Sequence, residues 1–140
     1  MPDAARLAIN PDTLAPPTGA PATPFYTWVV KRGNMVLLSG MSPYTKDKRL
    51  AEPDDQAGHT RQAFLNMKAA LEGVGATMAD VCQITIYVHE THLQRDVYPK
   101  INPVCHEFFP KDPPARAVIG GVALPRNTER VLITGTAVLP

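Results

Sequence analysis

At 140 residues, with 44% hydrophobic and 19% charged residues, the chain reads as one globular domain, residues 1–140, with length for a single hydrophobic core. A formal net charge of +1 leaves no electrostatic footprint for nucleic acid. No apolar run reaches the roughly 18 residues of a membrane span. The N-terminus also lacks the basic-then-apolar order of a signal peptide, so a cytoplasmic protein without membrane partners is expected.

Six of the 15 prolines precede residue 25, so residues 1–24 read as an extended or turning arm over the domain surface. Residues 25–40, FYTWVVKRGNMVLLSG, follow as a β-hairpin: aromatic and β-branched runs flank the turn residues Arg32, Gly33 and Asn34. The spacing of Phe64, Met67, Leu71 and Val74 predicts a helix over residues 54–75, with Asp54 and Asp55 favouring its start and Gly73 and Gly75 its end. Thr77 and Asp80 mark a short capped turn into a strand over 81–89. Ile84, Ile86 and Val88 point to one face of that strand; Gln83, Thr85, Tyr87 and His89 point to the other. A second helical segment spans 93–109, with a restart expected at Asn102 and Pro103, which look like an N-cap and a first helical residue. Strands over 115–123 and 129–138 close the chain.

This order of elements predicts an α+β domain, one sheet with two helices on one face. The other face, carrying Thr85, Tyr87, Leu132 and Val138, would be left as a mixed apolar surface, which self-association would cover.

Arg116 stands at the start of the apolar run of DPPARAVIGGVALPR, in a strand expected to be buried. A guanidinium keeps its charge, so its burial demands an anionic or carbonyl partner. That partner is either an acidic residue of this chain or a neighbouring one, or a carboxylate on a ligand held by two parallel N–H···O bonds. Cys82 and Cys105, without CxxC spacing, read as buried reduced thiols. The four histidines form no HxxxH or HxH pair, and His89 with His92 alone makes no metal site.

The runs FYTWVVKRGNMVLLSGMSP, QAFLNMKAALEGVGATMADV, ITIYV, YPKINPVCHEFFPKDPPARAVIGGVALP and RVLITGTAV together resemble a Rid protein of the YjgF/UK114 superfamily, from about residue 9 onward. The resemblance implies a chorismate-mutase-like α+β fold, a mixed sheet in each subunit, and a homotrimer whose sheets form a central barrel with ligand clefts between subunits. It implies hydrolysis of a small enamine, imine or amino-substituted unsaturated acid to a ketoacid and ammonia, with no cofactor and no metal.

Carried over by position, Arg116 grips the substrate carboxylate, Tyr26 and Asn102 belong to the pocket, and Ser39 and Gly40 line it with backbone. Two positions depart: Val118 stands where the deaminases have a cysteine, and Thr134 where they have a glutamate that positions the attacking water. A threonine hydroxyl orients water but is a poor base. Glu129, Glu107 and His89 are the substitutes available in sequence; Tyr26, Asn102 and Thr134 could instead fix a water without a strong base. Loss of the glutamate favours a second reading, a trimeric binding protein for a small carboxylate or ketoacid. A third, nucleic-acid cleavage, has neither a basic stripe nor an aromatic platform behind it.

Overall fold

A computed structural model describes residues 5–140. Six strands form one sheet: β1 (Arg6–Ile9), β2 (Val29–Arg32), β3 (Met35–Met41), β4 (Val81–Val88), β5 (Ala115–Ile119) and β6 (Val131–Val138), in spatial order β1-β2-β3-β6-β4-β5. Neighbours run antiparallel except β4 and β5, which are parallel. Two helices, α1 (Gln56–Glu72) and α2 (Tyr98–Phe108), complete the fold. Helix α1 lies over β3 and β6, with α2 beside it.

The hairpin turns at Gly33, whose positive φ of 59° suits a residue without Cβ. At the start of α1, the Asp55 carboxylate accepts the Gly58 backbone N–H at 2.7 Å. Beyond its end, Gly75 takes the left-handed conformation at φ 76°. Phe64, Met67 and Leu71 are fully buried along the expected stripe, and the Phe64 ring meets Phe108 and Phe109. Burying such a side chain contributes about 1.5–3 kcal/mol. Val74 lies past the helix and is only partly buried. Thr77 and Asp80 form the expected capping box before β4. The alternation of β4 holds: Ile84, Ile86 and Val88 face the helices, while Thr85 and Tyr87 are half-buried on the open face.

Several expectations are corrected. Within residues 1–24, Arg6–Ile9 pairs with β2 as an edge strand; the first four residues of that segment lie outside the described residues. The second helical segment restarts earlier than Asn102: a π turn over Leu93–Val97 gives way to α2 at Tyr98, with Pro99 in the first turn, and the helix runs on through Asn102 and Pro103. A proline in the first turn removes an N–H that has no helical partner, so Pro99 suits the start better than Pro103. The strand expected over 115–123 stops at Ile119, and it is an edge strand whose residues are mostly exposed, because only β4 pairs with it. Cys82 is exposed and Cys105 is partly buried; both are free thiols.

The helix stripe also extends to residues that hydropathy would not select. Gln56, His59 and Thr60 are buried at the start of α1. His59 Nδ1 accepts the Arg130 backbone N–H at 3.2 Å, and Nε2 lies 2.9 Å from Asp54 Oδ1, tying α1 to the start of β6. Burial lowers the His59 pKa, and the neighbouring Asp54 carboxylate offsets part of that effect.

Candidate functional site

The sequence-predicted residues fall into two groups. The first is built on β5 and α2. Register pairs Arg116 with Ile84 and Val118 with Ile86, which turns both toward the helix side of the sheet. There Arg116 Nη1 donates to Asn102 Oδ1 at 2.8 Å and approaches Cys105 Sγ at 3.6 Å, with the guanidinium 5.6 Å from the Tyr98 ring centre. Val118 packs against the core beside it. Arg116 is exposed, and among the described residues no carboxylate pairs with it. Burial raises the Cys105 thiol pKa, and the adjacent Arg116 charge pulls it part of the way back.

The second group surrounds a cavity of about 720 Å³ between the N-terminal arm, β3 and the loop before β6. Tyr26, Ser39, Gly40, Glu129 and Leu132 line it. A shift of register between Leu38 and Met41 bends β3 at Ser39 and Gly40, a bulge that turns backbone toward the cavity. Gly40 packs closely: a Cβ there would stand 2.9 Å from Leu132 Cγ, so the Leu132 side chain would have to shift. The Ser39 hydroxyl donates to Thr27 O at 2.6 Å, so its side chain is already engaged. Tyr26 rests edge-on against Trp28, whose indole N–H donates to Ala15 O at 2.7 Å and anchors the arm as the cavity wall.

Thr134 is outside this lining. It sits on the open face of β6 opposite Thr85, two residues beyond Leu132, which is the β6 side chain that reaches the cavity. Of the acidic substitutes, Glu107 is bound to Arg61 on the surface at 2.7 Å, and His89 is half-exposed beside Glu90. Glu129 is the one in the cavity wall. It is 5% exposed, its Oε1 accepts the Arg126 backbone N–H at 3.2 Å, and its Oε2 has no hydrogen-bond partner. Burial pushes its carboxyl pKa up. Leu132 was expected only as part of the open face, and the bulge was not singled out in the sequence; the alternation of β6 groups Leu132 with Thr134 on one face.

Within one chain the two groups stay apart, since β6 and β4 separate β3 from β5 by about 14 Å at the usual strand spacing. Among the described residues no three His, Cys, Asp or Glu side chains gather to hold a metal, and no helix is long and apolar enough to cross a membrane.

A mixed six-stranded sheet backed by two helices, with a bulged third strand opening onto a cavity, defines an α+β domain of YjgF-like fold. The family model described as Endoribonuclease L-PSP matches residues 17–139. The chain is 38% identical over 117 residues to the 2-iminobutanoate/2-iminopropanoate deaminase of Dermatophagoides farinae, covering 81% of this chain and 85% of that protein. It superposes on RidA from the Antarctic bacterium Psychrobacter sp. with a TM-score of 0.79 at 25% identity, over 95% of this chain and 99% of that one. It superposes on YyfA of Yersinia pestis, of the conserved Rid protein family, with a TM-score of 0.80 at 25% identity, over 96% and 100% of the two chains. The chain belongs to the Endoribonuclease L-PSP family, the Rid or YjgF/UK114 proteins.

Proposed function

We propose that the protein is a hydrolase that converts a small imine or enamine bearing a carboxylate to the ketoacid and ammonia. The observation that carries this reading is Arg116: an exposed guanidinium held in place by a neutral partner, Asn102, with most of its N–H groups uncommitted. The similarity to an imine deaminase supports the same chemistry. The arginine-bearing edge and the cavity cannot meet within one chain. A neighbouring copy would bring its Arg116 against Tyr26, Ser39 and Gly40 and complete the cleft, in a homotrimer whose sheets form a barrel. The open face supports association, since Leu37, Met35 and Val138 are 47%, 49% and 38% exposed there.

In the reaction, water adds to the imine carbon as the C=N π electrons move to nitrogen; the carbinolamine then re-forms C=O and expels ammonia. Water must lose a proton and nitrogen must gain one. Tyr26 orients the water, and Glu129, with a carboxyl pKa raised by burial, carries the proton between them. Arg116 fixes the carboxylate in both states. The reaction draws on no bound cofactor in this scheme.

The test is ketoacid release from 2-iminopropanoate generated in situ. Added protein is expected to accelerate it, with a sedimentation mass of three chains; no acceleration by a protein of that mass would sink the hydrolase reading. Thr134, outside the cavity, favours the alternative of a binding protein for a small ketoacid, for which calorimetry would record binding and the ligand would be recovered unchanged. RNA cleavage has the family description alone behind it, and a net charge of +1 lends it no support.

A further inference from the structure

Beyond Tyr26, Ser39 and Gly40, the cavity lining carries two cationic side chains. Lys48 and Arg126 both line it. Among the described residues neither forms an ion pair with a carboxylate. Arg126 is held by the Tyr44 ring, 4.6 Å from its centre, and Tyr44 is fixed in turn by a hydrogen bond between its hydroxyl and that of Thr128.

Lys48 occupies a left-handed backbone conformation at φ 62°, in a turn closed by its N–H to Thr45 O at 2.9 Å. A residue with a Cβ costs about 1–2 kcal/mol there, and glycine would cost little. The turn is tightened by two further bonds, Thr45 N–H to Arg49 O at 2.8 Å and Arg49 N–H to Thr45 Oγ1 at 3.2 Å. Among the described residues the only acidic group in the lining is Glu129, whose buried Oε2 lacks a partner. Burial favours its neutral form, which reduces its repulsion of an anion in the cavity. Two cations in one cavity lining, neither in an ion pair among the described residues, with a carboxyl that burial disposes to be neutral despite the Arg126 charge beside it, form a place for negative charge.

We infer that Lys48 and Arg126 bind a second anionic group of the substrate, so that the preferred substrates are dicarboxylic imino or enamino acids rather than monocarboxylic ones. This rests on the proposed cleft for its first carboxylate, the one Arg116 takes, but it concerns a separate contact. The substrate then spans the cavity, one carboxylate at Arg116 and the other at Lys48 and Arg126, with the C=N bond between.

The experiment compares binding of two stable ketoacid probes, 2-oxoglutarate and 2-oxobutanoate, to the full chain by calorimetry. A charge-assisted contact of about 1.5–3 kcal/mol corresponds to at least a tenfold preference for 2-oxoglutarate. That preference should shrink toward one in Lys48→Ala and in Arg126→Ala, while Arg126→Lys keeps part of it. Melting curves of each variant report whether the fold is retained, and Lys48→Gly, which relieves the left-handed backbone, serves where Lys48→Ala is destabilised. Equal affinity for the two probes, variants that weaken both alike, or no binding of either overturns the inference. Hydrolysis of 2-iminopropanoate is scored separately, so a failure of the hydrolase reading leaves the probe ratio standing, and the reverse also holds.

Discussion

Replacing Arg116 by alanine tests the carboxylate clamp most directly. The guanidinium has five N–H groups; one is given to Asn102 at 2.8 Å and a second leans on Cys105 Sγ at 3.6 Å. Enough remain for two parallel bonds to a carboxylate. Each charge-assisted bond contributes about 1.5–3 kcal/mol, so the pair is worth about 3–6 kcal/mol, or roughly 10²- to 10⁴-fold in kcat/KM. Arg116→Lys keeps the charge without the fork and should lose roughly 10- to 10²-fold. The side chain is exposed with neutral partners, so stability should change by no more than about 0.5 kcal/mol. The assay is ketoacid release from 2-iminopropanoate, with a melting curve for each variant. Cys105 supplies an internal control: without Arg116 its thiol pKa should rise further, and alkylation at a fixed pH should slow. An Arg116→Ala protein within about threefold of the parent in kcat/KM, with its assembly intact, would refute the clamp.

Three further outcomes concern stability. In Gly58→Ala the new Cβ would lie 2.0 Å from Pro53 O, a backbone atom, so the usual helix gain of about 1 kcal/mol for alanine should reverse to a loss of more than about 2 kcal/mol in urea unfolding; a neutral result would contradict the packing at the start of α1. Glu129 has a folded-state pKa above its unfolded value, so the stability it contributes is fully present below the unfolded pKa and is lost as pH rises through the folded one. Glu129→Gln keeps an acceptor for the Arg126 N–H and should be more stable than the parent at alkaline pH yet equal to it in acid, while kcat falls at every pH. A stability difference independent of pH would count against it. His59 acts in the opposite sense: its lowered pKa means that stability is present above the unfolded value and lost as pH falls through the folded one, so urea midpoints should drop between about pH 7 and 5, and less so in His59→Gln.

Much of the fold was legible because it rests on local periodicity and local chemistry. The three-and-four spacing of Phe64, Met67 and Leu71 exposes one helix face to burial whatever the partner, and the alternation through Ile84, Ile86 and Val88 does the same for β4. The Asp55 cap, the Thr77–Asp80 box and the Gly33 turn are decided within a few residues. The site was legible only in its residue types. Arg116 was expected in a buried strand, and the sheet order instead places it on an exposed edge with Asn102. Thr134 and Leu132 share one face of β6, and only the bulge at Ser39 and Gly40 determines that Leu132 is the one beside the cavity.

The sequence by itself determined the helix and strand faces and the caps, because each depends on neighbours along the chain. Tertiary structure decided which strand lies at the sheet edge, which β6 side chain reaches the cavity, and that Glu129 is buried with a carboxyl oxygen unpartnered. Those properties depend on groups distant in sequence: a strand's edge position on which strands pair beside it, and a carboxyl's pKa on the water that packing removes from it.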